Sequence, residues 1–100
     1  MPATTLISEA RVETDRPGRY LVQLCKHLGH KVHAEWSEER GFVDFGAGNC
    51  LLRAEPGVLV MRATGTDEAA LQRVEHVAGS HLERFGGRDE LVVRWERVDA

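Results

Sequence analysis

Two stretches with helical apolar spacing bracket a run of segments whose apolar residues recur every second position, and this switch of period is the strongest constraint on the fold. Pro17, Leu21, Leu24, Cys25 and Leu28 form one stripe at helical spacing. Ala70, Leu71, Val74, Val77, Ala78, Leu82 and Phe85 form the other. Between them, Val32, Ala34 and Trp36 alternate with His33, Glu35 and Ser37, as in a strand with one buried face. Gly41 to Phe45, Cys50 to Glu55 and Val58 to Ala63 read as three further strands, separated by Gly46-Ala47-Gly48-Asn49 and Pro56-Gly57 turns. Ser8 to Thr14 reads as a strand before the first helix, and Glu90 to Val98 as one after the second. The order is β-α-β-β-β-β-α-β. Short connections imply an antiparallel meander, and two apolar stripes are buried most economically on one face of the sheet. The expectation is an α+β two-layer sandwich with a mostly antiparallel sheet. Its outer face is partly apolar, which suits a dimer or a ligand groove.

Helix ends are marked locally. Thr14 or Asp15 can cap the first helix, with Pro17 in its first turn. Gly29 can take the left-handed conformation that closes it. Thr66 is the expected cap of the second helix, and Gly86-Gly87 its end. Trp36 and Trp95 are expected to face the helices as core anchors.

One hundred residues correspond to one domain spanning 1–100, with a frayed start over 1–7. The chain carries a net charge of -3 with both signs interspersed, so no basic block points to nucleic acid. No apolar run approaches the roughly 18 residues of a membrane span. Met1 to Ser8 lacks the charged start and apolar stretch of a secretion signal. A cytoplasmic location is expected, and with it free thiols at Cys25 and Cys50.

The densest chemistry lies between Cys25 and His33, where one of the two cysteines and three of the five histidines fall within nine residues. Thiolate and imidazole are ligands that borderline transition metals favour. His27 and His30 sit at the end of the first helix. Cys25 lies on its buried stripe, where a thiol behaves as a small hydrophobe. His81 falls near the centre of the second stripe and needs a partner if buried. If the helices pack side by side, His81 approaches Tyr20, Cys25 or His27. His81 with Tyr20 would form a satisfied core network, and His81 with His27, His30 and Cys25 an iron, zinc or haem site. His76 is expected to be solvated. Arg19 and Tyr20 are candidates for ligand binding, with Arg16 and Lys26 as accompanying cations.

Arg19-Tyr20-Leu21, Leu24-Cys25-Lys26-His27, Gly29-His30-Lys31, His81-Leu82-Glu83-Arg84-Phe85 and Leu91-Val92-Val93-Arg94-Trp95 together resemble a small bacterial family, domain of unknown function 2218. The resemblance covers the chain from about Ala10. It brings no established activity, and it implies an iron-linked context beside siderophore-interacting reductases. Three classes of function follow. One is a small binding or accessory module, linked to iron, haem or a siderophore and serving a reductase partner. The second is a homodimeric interaction domain without metal or catalysis. The third is an enzyme using Cys25 or His81, which needs an exposed, activated nucleophile that Cys25 does not supply.

Overall fold

A computed structural model describes residues 5–98. It contains β1 (Leu6–Glu13), α1 (Pro17–Leu28), β2 (His33–Trp36), β3 (Arg40–Asp44), β4 (Gly48–Glu55), β5 (Val58–Gly65), α2 (Glu68–Phe85), a short 3-10 turn (Gly87–Asp89) and β6 (Glu96–Val98). The strands form one sheet in the order β2-β3-β4-β5-β1-β6, with every neighbouring pair antiparallel. This is the expected α+β sandwich. The meander β2 to β5 is built from adjacent strands, and β1 returns to pair along its whole length with β5, from Leu6 opposite Gly65 to Glu13 opposite Val58.

Both helices lie on one face. Ala10, Val12, Val43, Cys50, Leu52, Leu59, Met61 and Ala63 project from the sheet toward Leu21, Leu24 and Cys25 of α1 and Leu71, Val74, Ala78 and Leu82 of α2, and all are buried. Each of these strand residues alternates with an outward-facing neighbour, so a regular pleat is enough to build the core. The helix-facing row that runs through Ala34, Val43, Cys50, Ala63 and Ser8 holds only small and medium side chains. Ser8 is 1% exposed, and its hydroxyl has no hydrogen-bond partner among the described residues. A buried hydroxyl left unpaired costs about 1–3 kcal/mol relative to an apolar replacement of similar shape. Ser8→Ala is therefore expected to raise stability by about 1 kcal/mol, read as a higher urea midpoint at unchanged slope. A lowered midpoint would mean that the hydroxyl has a partner.

Several local expectations change. The frayed start placed at 1–7 lies outside the described residues for 1–4, while Leu6 and Ile7 already belong to β1. Neither Thr14 nor Asp15 caps α1. The cap position is Arg16, without a side-chain bond, and the Thr14 hydroxyl instead accepts from the Arg16 N–H at 3.1 Å. Gly29 is right-handed (φ -63°, ψ -12°), not left-handed. Its lack of a side chain serves close approach: a Cβ there would lie 3.1 Å from the Cys25 carbonyl oxygen and 3.5 Å from both Ala34 and Trp36. The cap of α2 is Asp67 rather than Thr66, its carboxylate accepting from the Ala70 N–H at 2.8 Å. The carboxylate also adds a charge that complements the positive end of the helix dipole.

The last strand is much shorter than expected. Glu90 takes a left-handed conformation (φ 55°), and Leu91 folds back onto Gly86 at the end of α2. The segment that follows lies against α2, where the Val93 N–H donates to the Glu83 carboxylate at 3.0 Å and Trp95 sits over Gly79. Only Glu96–Val98 reach β1. Leu91, Val93 and Trp95 do share an inward side, so the alternation is real although no ladder accompanies it. Trp95 is half-buried against the core. Trp36, expected as a core anchor, is 42% exposed on the edge strand β2, with its indole beside Gly29 at the end of α1.

Candidate functional site

Residues 27, 81 and 85 meet at the seam where α1 lies beside α2. The His27 and His81 ring centres are 4.8 Å apart, tilted by 47°. Phe85 stands edge-on to His27 at 5.2 Å and 6.4 Å from His81. The local cause is helical spacing. His81 and Phe85 are one turn apart on the flank of α2, and His27 is the outermost ring of the last turn of α1. His81 thus sits at the edge of the apolar stripe, not at its centre as the sequence suggests. The stripe's centre is Leu71, Val74, Ala78 and Leu82, and His81 is only half-buried.

Burial lowers the His81 pKa first, and the positive charge of His27, Arg84 and Lys31 lowers it further. The neutral imidazole, with a free nitrogen lone pair, is accordingly the favoured form at neutral pH. Two imidazoles on one ion, with metal–nitrogen bonds of about 2.0–2.1 Å, have ring centres about 5.2 Å apart at a tetrahedral angle and about 4.5 Å apart at a right angle. The observed 4.8 Å falls between these values. Axial ligands on opposite sides of a haem need about 6.4 Å on the same arithmetic. On separation alone, one ion shared in cis fits the two rings better than a sandwiched haem.

The other candidates separate from this pair. Cys25 lies two residues before His27, about 200° around the helix, and points into the core. Its sulfur occupies the space where a Gly41 Cβ would sit, at 2.6 Å. Desolvation raises its pKa to about 11, so it is a thiol at neutral pH. Cys50 is raised by burial and then by Cys25. Both cysteines are free. His30 is exposed beyond α1, and its N–H donates to the His27 carbonyl at 3.3 Å. His33 pairs with Glu35 at 3.2 Å on the outer side of β2, and His76 is exposed. Among the described residues, no three or more His, Cys, Asp or Glu side chains gather as a metal cage.

Arg19 and Tyr20 also diverge. Tyr20 is buried, and its hydroxyl donates to Asp89 in the 3-10 turn, which raises the phenol pKa. Tyr20 is therefore satisfied by Asp89 and not by His81. No periodicity could have identified Asp89, which lies 69 residues away in a turn. Arg19 is exposed and borders a wide depression of about 630 Å³ at the start of α1, among Glu38, Glu39 and Glu55.

Fold and seam define a small α+β protein with two helices on one face of an antiparallel sheet and a paired imidazole where the helices meet. A profile of the uncharacterised proteins conserved in bacteria, DUF2218, matches residues 9–96. The chain belongs to that family. It is similar to the NMR structure of PA4090 from Pseudomonas aeruginosa, with 38% identity and a TM-score of 0.77 over 91% of this chain and 95% of that one. No curated protein matches it. Among the described residues, no helix is long and apolar enough to cross a membrane.

Proposed function

We propose that this protein is a small cytoplasmic binding or accessory module that takes an iron or zinc ion at His27 and His81. The supporting observation is the 4.8 Å separation of the two rings across the helix seam. Two protein ligands leave the remaining coordination positions open, to be filled by water or by a chelator that arrives with the ion. This fits the siderophore-linked context implied by the family resemblance, with an iron-handling reductase as the partner. His30 and Cys25 are not needed. His30 lies beyond the seam and Cys25 faces the core. A second reading, a homodimer without metal, draws on Leu51, which is 48% exposed on the sheet's open face.

The test is calorimetric titration of the untagged protein with Zn(II), Fe(II) and haem. One-to-one binding of the ions is expected, weakened about tenfold or more in His27→Ala and in His81→Ala. Binding should strengthen as pH rises through the histidine range, because the ion competes with protons for the same nitrogens. Ion binding that is unchanged in both variants, or absent at micromolar concentration, removes the metal reading. Sedimentation as a dimer without metal would then favour the second.

A further inference from the structure

The sheet's second face carries an unusual arrangement of charge. Residues alternating with the core positions point away from both helices, and among them Leu51 is 48% exposed while Val60 is only 4% exposed. Val60 has no helix above it. Its cross-strand neighbours on that face are Arg53 of β4 and Arg11 of β1, whose aliphatic stems can shelter it. Arg53 in turn stands directly opposite Arg40 of β3. One transverse row therefore reads Arg40, Arg53, Val60, Arg11, and the next row brings Leu51 beside Arg62.

Like charges placed directly opposite across a ladder destabilise it. Nearby carboxylates relieve only part of this repulsion. Glu55 accepts from Arg53 Nε and lies 3.6 Å from Arg11, and Glu9 accepts from Arg62. Arg53 keeps its terminal N–H groups free of that bond, and Arg40 has no ion pair among the described residues. Glu35, at the edge of the same face, is held by His33. Between these side chains lies a depression of about 320 Å³ lined by Arg40, Arg53, Arg62 and Glu9, with Leu51 exposed beside it and Val60 almost covered. That volume is at the lower end of the range for small-molecule sites.

We propose that this depression binds a small organic anion, a carboxylate or sulfonate on a flat apolar body. The acid group lies between the Arg40 and Arg53 guanidinium forks, which match a carboxylate in a paired fashion, and the body rests on the exposed Leu51 side chain. The anion supplies the negative charge missing between two opposed arginines. The site is independent of the imidazole seam, which lies on the helix side of the sheet.

The probe is 2-naphthoate, with 2-naphthamide as its uncharged counterpart, titrated into 15N-labelled protein. Naphthoate is expected to shift the amides of Arg40, Leu51, Arg53 and Val60. Its affinity should fall about tenfold in Arg40→Gln, and the amide should bind at least about tenfold more weakly. A second readout separates this role from a structural one. Arg40→Gln removes a like-charge contact, so the free variant should melt at the same temperature as the parent or higher. Leu51→Ser should weaken both probes alike. Naphthoate shifts elsewhere only, equal binding of the amide, undiminished binding by Arg40→Gln, or a dimer seated on Leu51 would each overturn the proposal.

Discussion

Gly65→Ala is expected to destabilise the protein by about 3 kcal/mol or more, and in a chain of this size that lowers the melting temperature by more than about 12 °C. Gly65 closes β5 on the helix side, and α2 begins almost immediately after it. A Cβ at this position would lie 2.4 Å from the Leu71 nitrogen, 2.7 Å from the Leu71 Cα and 3.0 Å from the Ala70 carbonyl carbon. All three are backbone atoms of the first turn, so no rotamer change can make room. Relief requires the helix to lift from the sheet, which would expose Leu71 and Val74, or β5 to shift against both Gly48 and Leu6. Gly87→Ala is the matched control. Nothing lies within 4 Å of a Cβ there, and its effect should stay within about 0.5 kcal/mol. Thermal and urea melts of the two variants decide the matter. A loss below about 1 kcal/mol for Gly65→Ala would show that the start of α2 is free to slide.

Leu21→Ala should cost about 2–5 kcal/mol. Leu21 is fully buried at the centre of the α1 stripe, and one of its methyl carbons sits 3.2 Å from the Cβ position of Gly41. The space around it is shared by the Cys25 sulfur and Leu52, both held by their own packing. Truncation therefore leaves a cavity that the neighbours close only in part, and the cavity adds to the lost transfer energy. Val22, the next residue, is half-buried and borders the open depression at the start of α1. Val22→Ala should cost less than about 1 kcal/mol. Equilibrium urea unfolding of the pair measures how sharply the buried stripe of α1 is defined. Equal costs would mean that the helix is rotated relative to the packing described above.

What the sequence conveys well is periodicity. The stripes of α1 and α2 and the alternation of β3, β4 and β5 are visible because each element buries one face, and burial selects residues at the element's own period. The misreadings arise where two arrangements share one pattern. Leu91, Val93 and Trp95 alternate whether the segment pairs in a ladder or lies across α2, and only Glu83 and Gly79, in another element, select the second. Thr66 and Asp67 are both good caps, and the choice depends on where α2 meets Gly65. Trp36 looks like a core residue until the sheet order places β2 at an edge. For the candidate site, the nearness of His27 and His81 follows from two helices packing side by side. The exclusion of Cys25 follows from its place on the buried stripe. The contact between Tyr20 and Asp89 joins positions that no local rule connects.

The position of β1 between β5 and β6 also governs the order in which the molecule can assemble. Strands β2 to β5 are joined by short turns, so each pairing closes a small loop and loses little chain entropy. The first strand has no partner until the meander and its outermost strand β5 exist, and β6 has none until β1 is in place. Assembly is thus sequential: a local hairpin array forms a template, and the most sequence-distant contacts complete it. By the contact-order argument, the docking of β1 onto β5 is expected to follow the local hairpins, and the still more sequence-distant pairing of β6 with β1 to come last. Until β1 docks, the ladder edge of β5 is open, and the arginine row on the outer face lacks Arg11.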